Sequence, residues 1–361
     1  MITFGAISQK EFLTDYWQKK PLLIKQALPH FLSPLTPDEL AGLSLEEEFE
    51  SRLVTGSTKD NRWSLSEGPF TEETFAGLPE TDWTLLVQGV DRFIPEVESL
   101  VAHFDFIPRW RFDDVMISYA ATGGSVGPHF DHYDVFLLQG SGRRSWSLSR
   151  QHCELENYLE GVPLRIMKQF TAEQHFEVEA GDLLYIPPKV AHHGVSLSDD
   201  CTSLSFGYRS YSASEMFEAL YGEADHRYYR DPVWHSADAP ARIPDAAVER
   251  ANSIAEISAI EFAQFVTKLD PLDQQILQQF EYEQQGEVFD PDADYQLHPA
   301  CKIAYLEADH KVLVFINGMQ LDDMDIDEER LINFCNQRVL VAEECPMLAQ
   351  PLFERNLLVV L

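Results

Sequence analysis

Basic side chains are scarce in this chain. Its 361 residues hold 27 Lys and Arg against 60 Asp and Glu, a net charge of −33. Such a balance repels phosphate at long range and disfavours direct nucleic-acid binding by the bulk surface. The five cysteines (Cys153, Cys201, Cys301, Cys335, Cys345) are odd in number and form no C-x-x-C pair. That argues against a disulfide framework or a zinc ribbon and for a reducing, cytoplasmic location. No apolar run approaches the roughly 18–20 residues that span a bilayer. The opening MITFGAISQKEFLTDYW lacks a basic stretch followed by an apolar core, so no signal peptide and no membrane partner are expected. Internal repeats and low-complexity tracts are missing too. The length suggests two or three domains, and 45% hydrophobic residues are ample for packed cores.

The first hundred residues read as mixed, with helical signals in front. Ser8-Gln-Lys-Glu11 and Thr36-Pro37-Asp38-Glu39 have the form of capping boxes, the second with proline at the first helical position. From about 113 to 209 the texture changes to short β-type runs cut by glycine turns. They are 115–119, 133–138, 144–148, 176–178, 183–186 and 203–206. Short strands without intervening helical periods predict a closed or sandwiched antiparallel fold such as a jelly roll. Beyond 212, stretches 213–221, 245–268 and 272–284 read as helices, with a further cap at Ser258-Ala-Ile-Glu261. After about 290 come a strand at 312–316, the hairpin signal Asn317-Gly318, helices near 327–336 and 346–355, and a closing strand 357–361.

The β region carries the chemistry. In Gly127-Pro-His129-Phe-Asp131, two residues apart on a strand face one side, so His129 and Asp131 can share a metal. A histidine from a distant strand, His192 or its neighbour His193, would complete a 2-His-1-carboxylate triad. Such a triad leaves three positions open on Fe(II). H-x-D alone is weak, because the chain has three: His103/Asp105, His129/Asp131 and His132/Asp134. Only the pair at 129 follows a glycine-rich turn with Pro128 and enters an apolar strand; the pair at 132 is the runner-up, facing the other way. Arg144 offers a guanidinium fork suited to a carboxylate. Arg143 points to the opposite face and is its natural control.

At these residues the sequence resembles the JmjC-type ribosomal oxygenases, and within them the bacterial ribosomal-protein arginine hydroxylases. The matching text is Trp17-Gln-Lys-Lys-Pro21-Leu-Leu-Ile, Asp113-Asp-Val-Met-Ile-Ser118, the run from Gly127 to Gly140, Gly142-Arg-Arg144-Ser-Trp146, Gly181-Asp-Leu-Leu-Tyr-Ile-Pro-Pro188 and Phe206-Gly-Tyr-Arg209. The resemblance implies a fold that is mainly β with α. Residues 1–212 would form a double-stranded β-helix (jelly-roll/cupin JmjC) catalytic domain. A helical dimerisation region (213–288) and a small winged-helix-like domain (289–361) would follow.

It implies His129, Asp131 and His192 as Fe(II) ligands and Arg144 as the anchor of the 2-oxoglutarate carboxylate. Ser118 would contact cosubstrate or substrate. The reaction would be hydroxylation of an arginine side chain at C3 on a basic large-subunit ribosomal protein, using O2 and releasing succinate and CO2. Alternatives are a histidine hydroxylase or JmjC-type demethylase on the same scaffold, or a non-catalytic acidic module that binds basic proteins. Departures from the family pattern are His193 where an acid is usual, Lys189 in place of a glycine, and one extra residue between 193 and 206. They leave Ser203 and Ser205 unassigned. A winged helix often binds DNA, but residues 321–329 place six acids in nine positions. No direct nucleic-acid binding is therefore expected. Phe217, Tyr221, Tyr228 and Tyr229 are expected in a core or at a homodimer interface.

Overall fold

The computed structural model describes residues 2–59, 62–154, 156–162, 164–216, 228–232, 239–308, 311–321 and 326–361. The second half of the expected helix 213–221, with Phe217 and Tyr221, lies outside them. So do residues 322–325 of the acidic run. Two compact units divide the chain: Met1–Phe104 with Asp113–Ser210, and Asp105–Phe112 with Tyr211–Pro232 and Ser236–Leu361. No helix among the described residues is long and apolar enough to cross a membrane.

The first unit is built from β1 (Leu22–Ile24), β2 (Ser51–Ser57), β3 (Arg62–Glu67), β4 (Trp83–Val87), β5 (Phe112–Ala120), β6 (Asp134–Ser141), β7 (Arg143–Ser149), β8 (Gln174–Glu179), β9 (Leu183–Ile186), β10 (Ala191–Ser196) and β11 (Cys201–Tyr208). Eight strands form one sheet in the order β1-β9-β6-β11-β5-β4-β2-β3, and three form a second in the order β10-β7-β8. Strand side chains alternate between faces, and this alternation builds the jelly roll. Val135 and Leu137 of β6, with Leu184 and Ile186 of β9, pack against Trp146, Leu148 and Val178 of the smaller sheet.

The opposite face of the larger sheet is covered by the N-terminal segment. Phe136 stacks on Trp17 at 5.9 Å and Tyr185 meets Phe12 edge-on at 5.0 Å. A strand buried on both faces reads as a continuous apolar run, as Val135-Phe-Leu-Leu138 does. Each fully buried phenylalanine here contributes about 1.5–3 kcal/mol. The capping boxes at Ser8/Glu11 and Thr36/Glu39 both form and start the helices Gln9–Asp15 and Pro37–Leu43. The sequence reading missed β2, β3 and β4. They extend the larger sheet and supply part of the cavity wall described below.

The second unit holds the helices Asp245–Ala255, Ala259–Val266 and Pro271–Glu283. The single helix expected over 245–268 is therefore two, because the Ser258/Glu261 capping box starts a new one. Two three-stranded sheets follow. They comprise β12 (Asp294–Leu297) between β16 (Val339–Val341) and β17 (Leu358–Val360), and β13 (Ile303–Ala308), β14 (Lys311–Ile316) and β15 (Met319–Gln320) in sequence order. Asn317 and Gly318 turn between β14 and β15 with φ of 53° and 80°, the left-handed pair that a tight hairpin demands. Helices Glu328–Gln337 and Pro346–Glu354 close a core around Tyr295, Tyr305, Phe334 and Leu352. Tyr229 is fully buried between Trp110 and Phe262, a core residue. All five cysteines are free thiols.

Candidate metal centre

The site begins with a turn. Gly127 has φ +81°, and a Cβ there would lie 2.9 Å from the Ile166 side chain. Glycine is therefore required on two counts. Ser125 Oγ accepts the Gly127 N–H at 3.0 Å, and the Gly127 carbonyl lies 2.9 Å from His129 Nδ1. His129 then pairs with His192 in an isolated antiparallel bridge, ahead of β6. The Val190 carbonyl lies 3.1 Å from His192 Nδ1. With both Nδ1–H groups given to carbonyls, each ring leaves its Nε2 lone pair for a ligand.

Asp131 lies on the same side, with Oδ2 3.6 Å from His192 Nε2. One ligand atom from each of His129, Asp131 and His192 lies within 4.8 Å of the others, the only such cluster of three among the described residues. His192 is buried, and burial followed by the charge of His129 pushes its pKa down to about 4. Two imidazoles beside a carboxylate are the donor set that suits Fe(II) with open positions. His193, also pushed to about 4 by burial, turns to the other face and meets the Phe170 ring edge-on at 6.0 Å. Lys189 takes φ +59° where the family pattern has glycine, and its N–H donates to the Asp131 carbonyl at 2.8 Å.

The two other H-x-D pairs do different work. Asp134 is fully buried and accepts from Tyr185 Oη at 2.6 Å and Gln18 Nε2 at 2.9 Å, fastening the N-terminal segment to the sheet. Asp105 is held by Arg109 Nε at 2.6 Å and Nη2 at 3.0 Å.

His129, Asp131 and His192 open into a cavity of about 490 Å³, whose wall also includes Arg144 and Ser118. Arg144 is 5% exposed, and its Nη2 has no hydrogen-bond partner among the described residues. A buried guanidinium with an unmet donor is costly unless an anion fills the space. The cavity thus fits a carboxylate. Arg143 is exposed on the other face, as alternation requires. Ser118 is buried, and its hydroxyl donates to the Ser203 carbonyl at 3.4 Å.

Sequence reasoning missed Thr84, Asp113, Asp114, Tyr133 and Gly207 of this wall, and it left unassigned Ser203 and Ser205, which alternate with Gly207 on β11. Asp114 accepts from Gln88 Nε2 at 2.6 Å and from the Gly89 N–H at 2.9 Å. Burial, with the charge of Asp113, raises its pKa to about 7 against the opposing pull of Arg92. The adjacent pair Asp113-Asp114 at the start of an apolar strand was the available signal. The charge of Asp131, more than burial, holds the Tyr133 hydroxyl protonated well above the usual range.

Comparison with known proteins agrees with this geometry. Residues 99–216 match the JmjC domain family. The chain is 40% identical over 253 residues to "Ribosomal protein uL16 3-hydroxylase" of Escherichia coli, a match covering 67% of this chain and 64% of that protein. The matched stretch is thus just under two thirds of that relative's length. It is 32% identical over 352 residues to "Probable ribosomal oxygenase" of Haemophilus influenzae, covering 90% of this chain and 85% of that one. The structure of the E. coli ribosomal oxygenase YcfD in complex with cobalt and 2-oxoglutarate superposes with a TM-score of 0.69 at 28% identity, over 99% of both chains. With both the fold and near full-length sequence similarity in agreement, the chain belongs to the JmjC-domain ribosomal oxygenases.

Proposed function

We propose that the chain is an Fe(II)- and 2-oxoglutarate-dependent oxygenase that hydroxylates an arginine side chain at C3 on a large-subunit ribosomal protein. The observation that carries this reading is one cavity holding both His129, Asp131 and His192 around a common point and the unpaired Nη2 of Arg144. His129, Asp131 and His192 would hold the iron; Arg144 would take the far carboxylate of 2-oxoglutarate. Ser118 lies on the same wall and would contact cosubstrate or substrate. When bound, iron and 2-oxoglutarate supply the oxidising power that inserts one oxygen atom of O2 into an unactivated C–H bond, with succinate and CO2 released.

The protein's own part is orientation and exclusion of water. Carbonyl hydrogen bonds at Nδ1 aim both imidazoles, and Val126, Val135, Leu137 and Leu164 line the cavity with apolar surface. Asp113, and Asp114 once ionised, offer carboxylate partners to a cationic side chain on a wall that Arg52 and Arg165 share. The net charge of −33 favours a lysine- and arginine-rich protein partner in the cytoplasm over nucleic acid. Residues 213–288 would form the dimerisation region of a homodimer and 289–361 a winged-helix-like domain. That reading draws on the three helices between 245 and 283 and the small sheets beyond 294, which share one compact unit.

The test is incubation with Fe(II), 2-oxoglutarate and ribosomal proteins, read by peptide mass spectrometry and succinate release. One added oxygen on arginine, in step with succinate, is expected. Oxygen on histidine or loss of a methyl group would reassign the substrate. Absence of both turnover and divalent-metal uptake would overturn the reading.

A further inference from the structure

We propose that Cys201 is a positioning residue for the cosubstrate: with Gln139, its sulfur aims the Arg144 guanidinium at the far carboxylate of 2-oxoglutarate. The inference rests on the oxygenase reading above and assigns a role that Fe(II) chemistry does not require of a thiol.

Cys201 opens β11 and is fully buried. Its Sγ accepts the Arg144 Nε–H at 3.4 Å and the Gln139 Nε2–H at 3.4 Å. The orientation of the Gln139 amide is set independently. Nε2 also donates to the Ser141 carbonyl at 2.7 Å, and Oε1 accepts from Ser203 Oγ at 3.0 Å. A donor therefore faces the sulfur, which acts as an acceptor for two N–H groups. Arg144 is pinned at Nε, lies against the Trp146 ring with its carbon 5.7 Å from the centroid, and keeps Nη2 without a partner among the described residues.

The chemistry of sulfur explains the choice. A thiol is a weak, neutral acceptor. It can fix the azimuth of a guanidinium without compensating its charge. An aspartate or glutamate at position 201 would form a bidentate pair with Arg144 and compete with the incoming carboxylate. No carboxylate is paired with Arg144 among the described residues, so the full charge is kept for the ligand.

The experiment compares wild type, Cys201→Ala and Cys201→Ser as Mn(II)-loaded protein without oxygen. Calorimetric titrations with 2-oxoglutarate and, separately, with Mn(II) are the readouts, joined by steady-state kinetics with Fe(II). Cys201→Ala should weaken 2-oxoglutarate binding about tenfold, the effect of one hydrogen bond to a charged group. KM for 2-oxoglutarate should rise in parallel while kcat at saturation and Mn(II) affinity stay put. Cys201→Ser should restore most of the affinity, since a hydroxyl accepts the same N–H. Unchanged 2-oxoglutarate affinity in Cys201→Ala would overturn the proposal. Equal losses in the Ala and Ser variants, or Mn(II) affinity falling in step, would overturn it as well by marking a purely structural role. Wild-type protein that takes Mn(II) but no 2-oxoglutarate would instead overturn the oxygenase reading, a distinct result because no variant is involved.

Discussion

His129 and His192 pair through their main chains: the His129 N–H donates to the His192 carbonyl at 3.0 Å and the His192 N–H to the His129 carbonyl at 2.7 Å. The two rings consequently sit 4.2 Å apart. This rung, with the Lys189 N–H to Asp131 carbonyl bond beside it, sets the register of β10 against the turn that carries Asp131. Because strand side chains alternate, a slip of one residue would bring His193 to the metal side and turn His192 away.

Mn(II) binding therefore separates the neighbours. His192→Ala should lose more than about a hundredfold in affinity, beyond the usual effect of residues around the ligands. His193→Ala should stay close to wild type. Calorimetric or spin-resonance titration reads both, and equal behaviour would refute the assignment of His192.

Asp134→Asn tests the runner-up pair. The change weakens the buried acceptor for Tyr185 and Gln18, so stability should fall by about 1–3 kcal/mol. Mn(II) affinity should be retained. Urea unfolding alongside a metal titration distinguishes this from a ligand role.

Arg144→Lys keeps the positive charge but removes the planar fork. KM for 2-oxoglutarate should rise at least about tenfold, while Arg143→Ala, on the exposed face, leaves it unchanged. Steady-state kinetics at varied 2-oxoglutarate decide the matter; equal effects of the two changes would contradict the placement of Arg144.

Gly194→Ala addresses packing behind the site. A Cβ there would lie 2.6 Å from the Trp146 ring, which itself sits 5.9 Å from the His192 ring. Overpacking should cost about 1–3 kcal/mol. A thermal scan should show the lower midpoint, and Trp fluorescence the displaced ring.

His298 in the second unit yields a pH prediction independent of metal. Its Nδ1 accepts the Ala300 N–H at 3.1 Å, and burial with the nearby Arg338 charge lowers its pKa to about 4. The unfolded chain binds that proton from about pH 6.5 downward. Stability is thus fully present above about 6.5 and declines as pH falls towards 4, by up to about 3 kcal/mol from this residue. His298→Asn keeps an acceptor without a titrating proton. Its midpoint temperature should fall less steeply over that window; identical slopes would exclude the residue as a source.

Local features were legible in the sequence because their partners lie within a few residues. The capping boxes at Ser8, Thr36 and Ser258, the Asn317-Gly318 turn and the shared face of His129 and Asp131 are all of this kind. Strands β2, β3 and β4 were missed although β2 and β3 pair locally and β3 alternates; what ties the three to the jelly roll is the pairing of β4 with the remote β5, which local pattern does not show. The helix over 245–268 was read as one because the apolar period continues through a break that only the cap at Ser258 marks.

By itself, then, the sequence determined the class of the β region, the metal-binding residue types and the acidic character that favours a basic partner. Those properties follow from composition and short-range pattern. The tertiary structure decided which of three H-x-D pairs faces the cavity, why His192 rather than His193 joins it, and how Cys201 meets Arg144. Each of those depends on strand register and on contacts between residues far apart in the chain. A one-residue shift reverses every one of them without changing the local pattern.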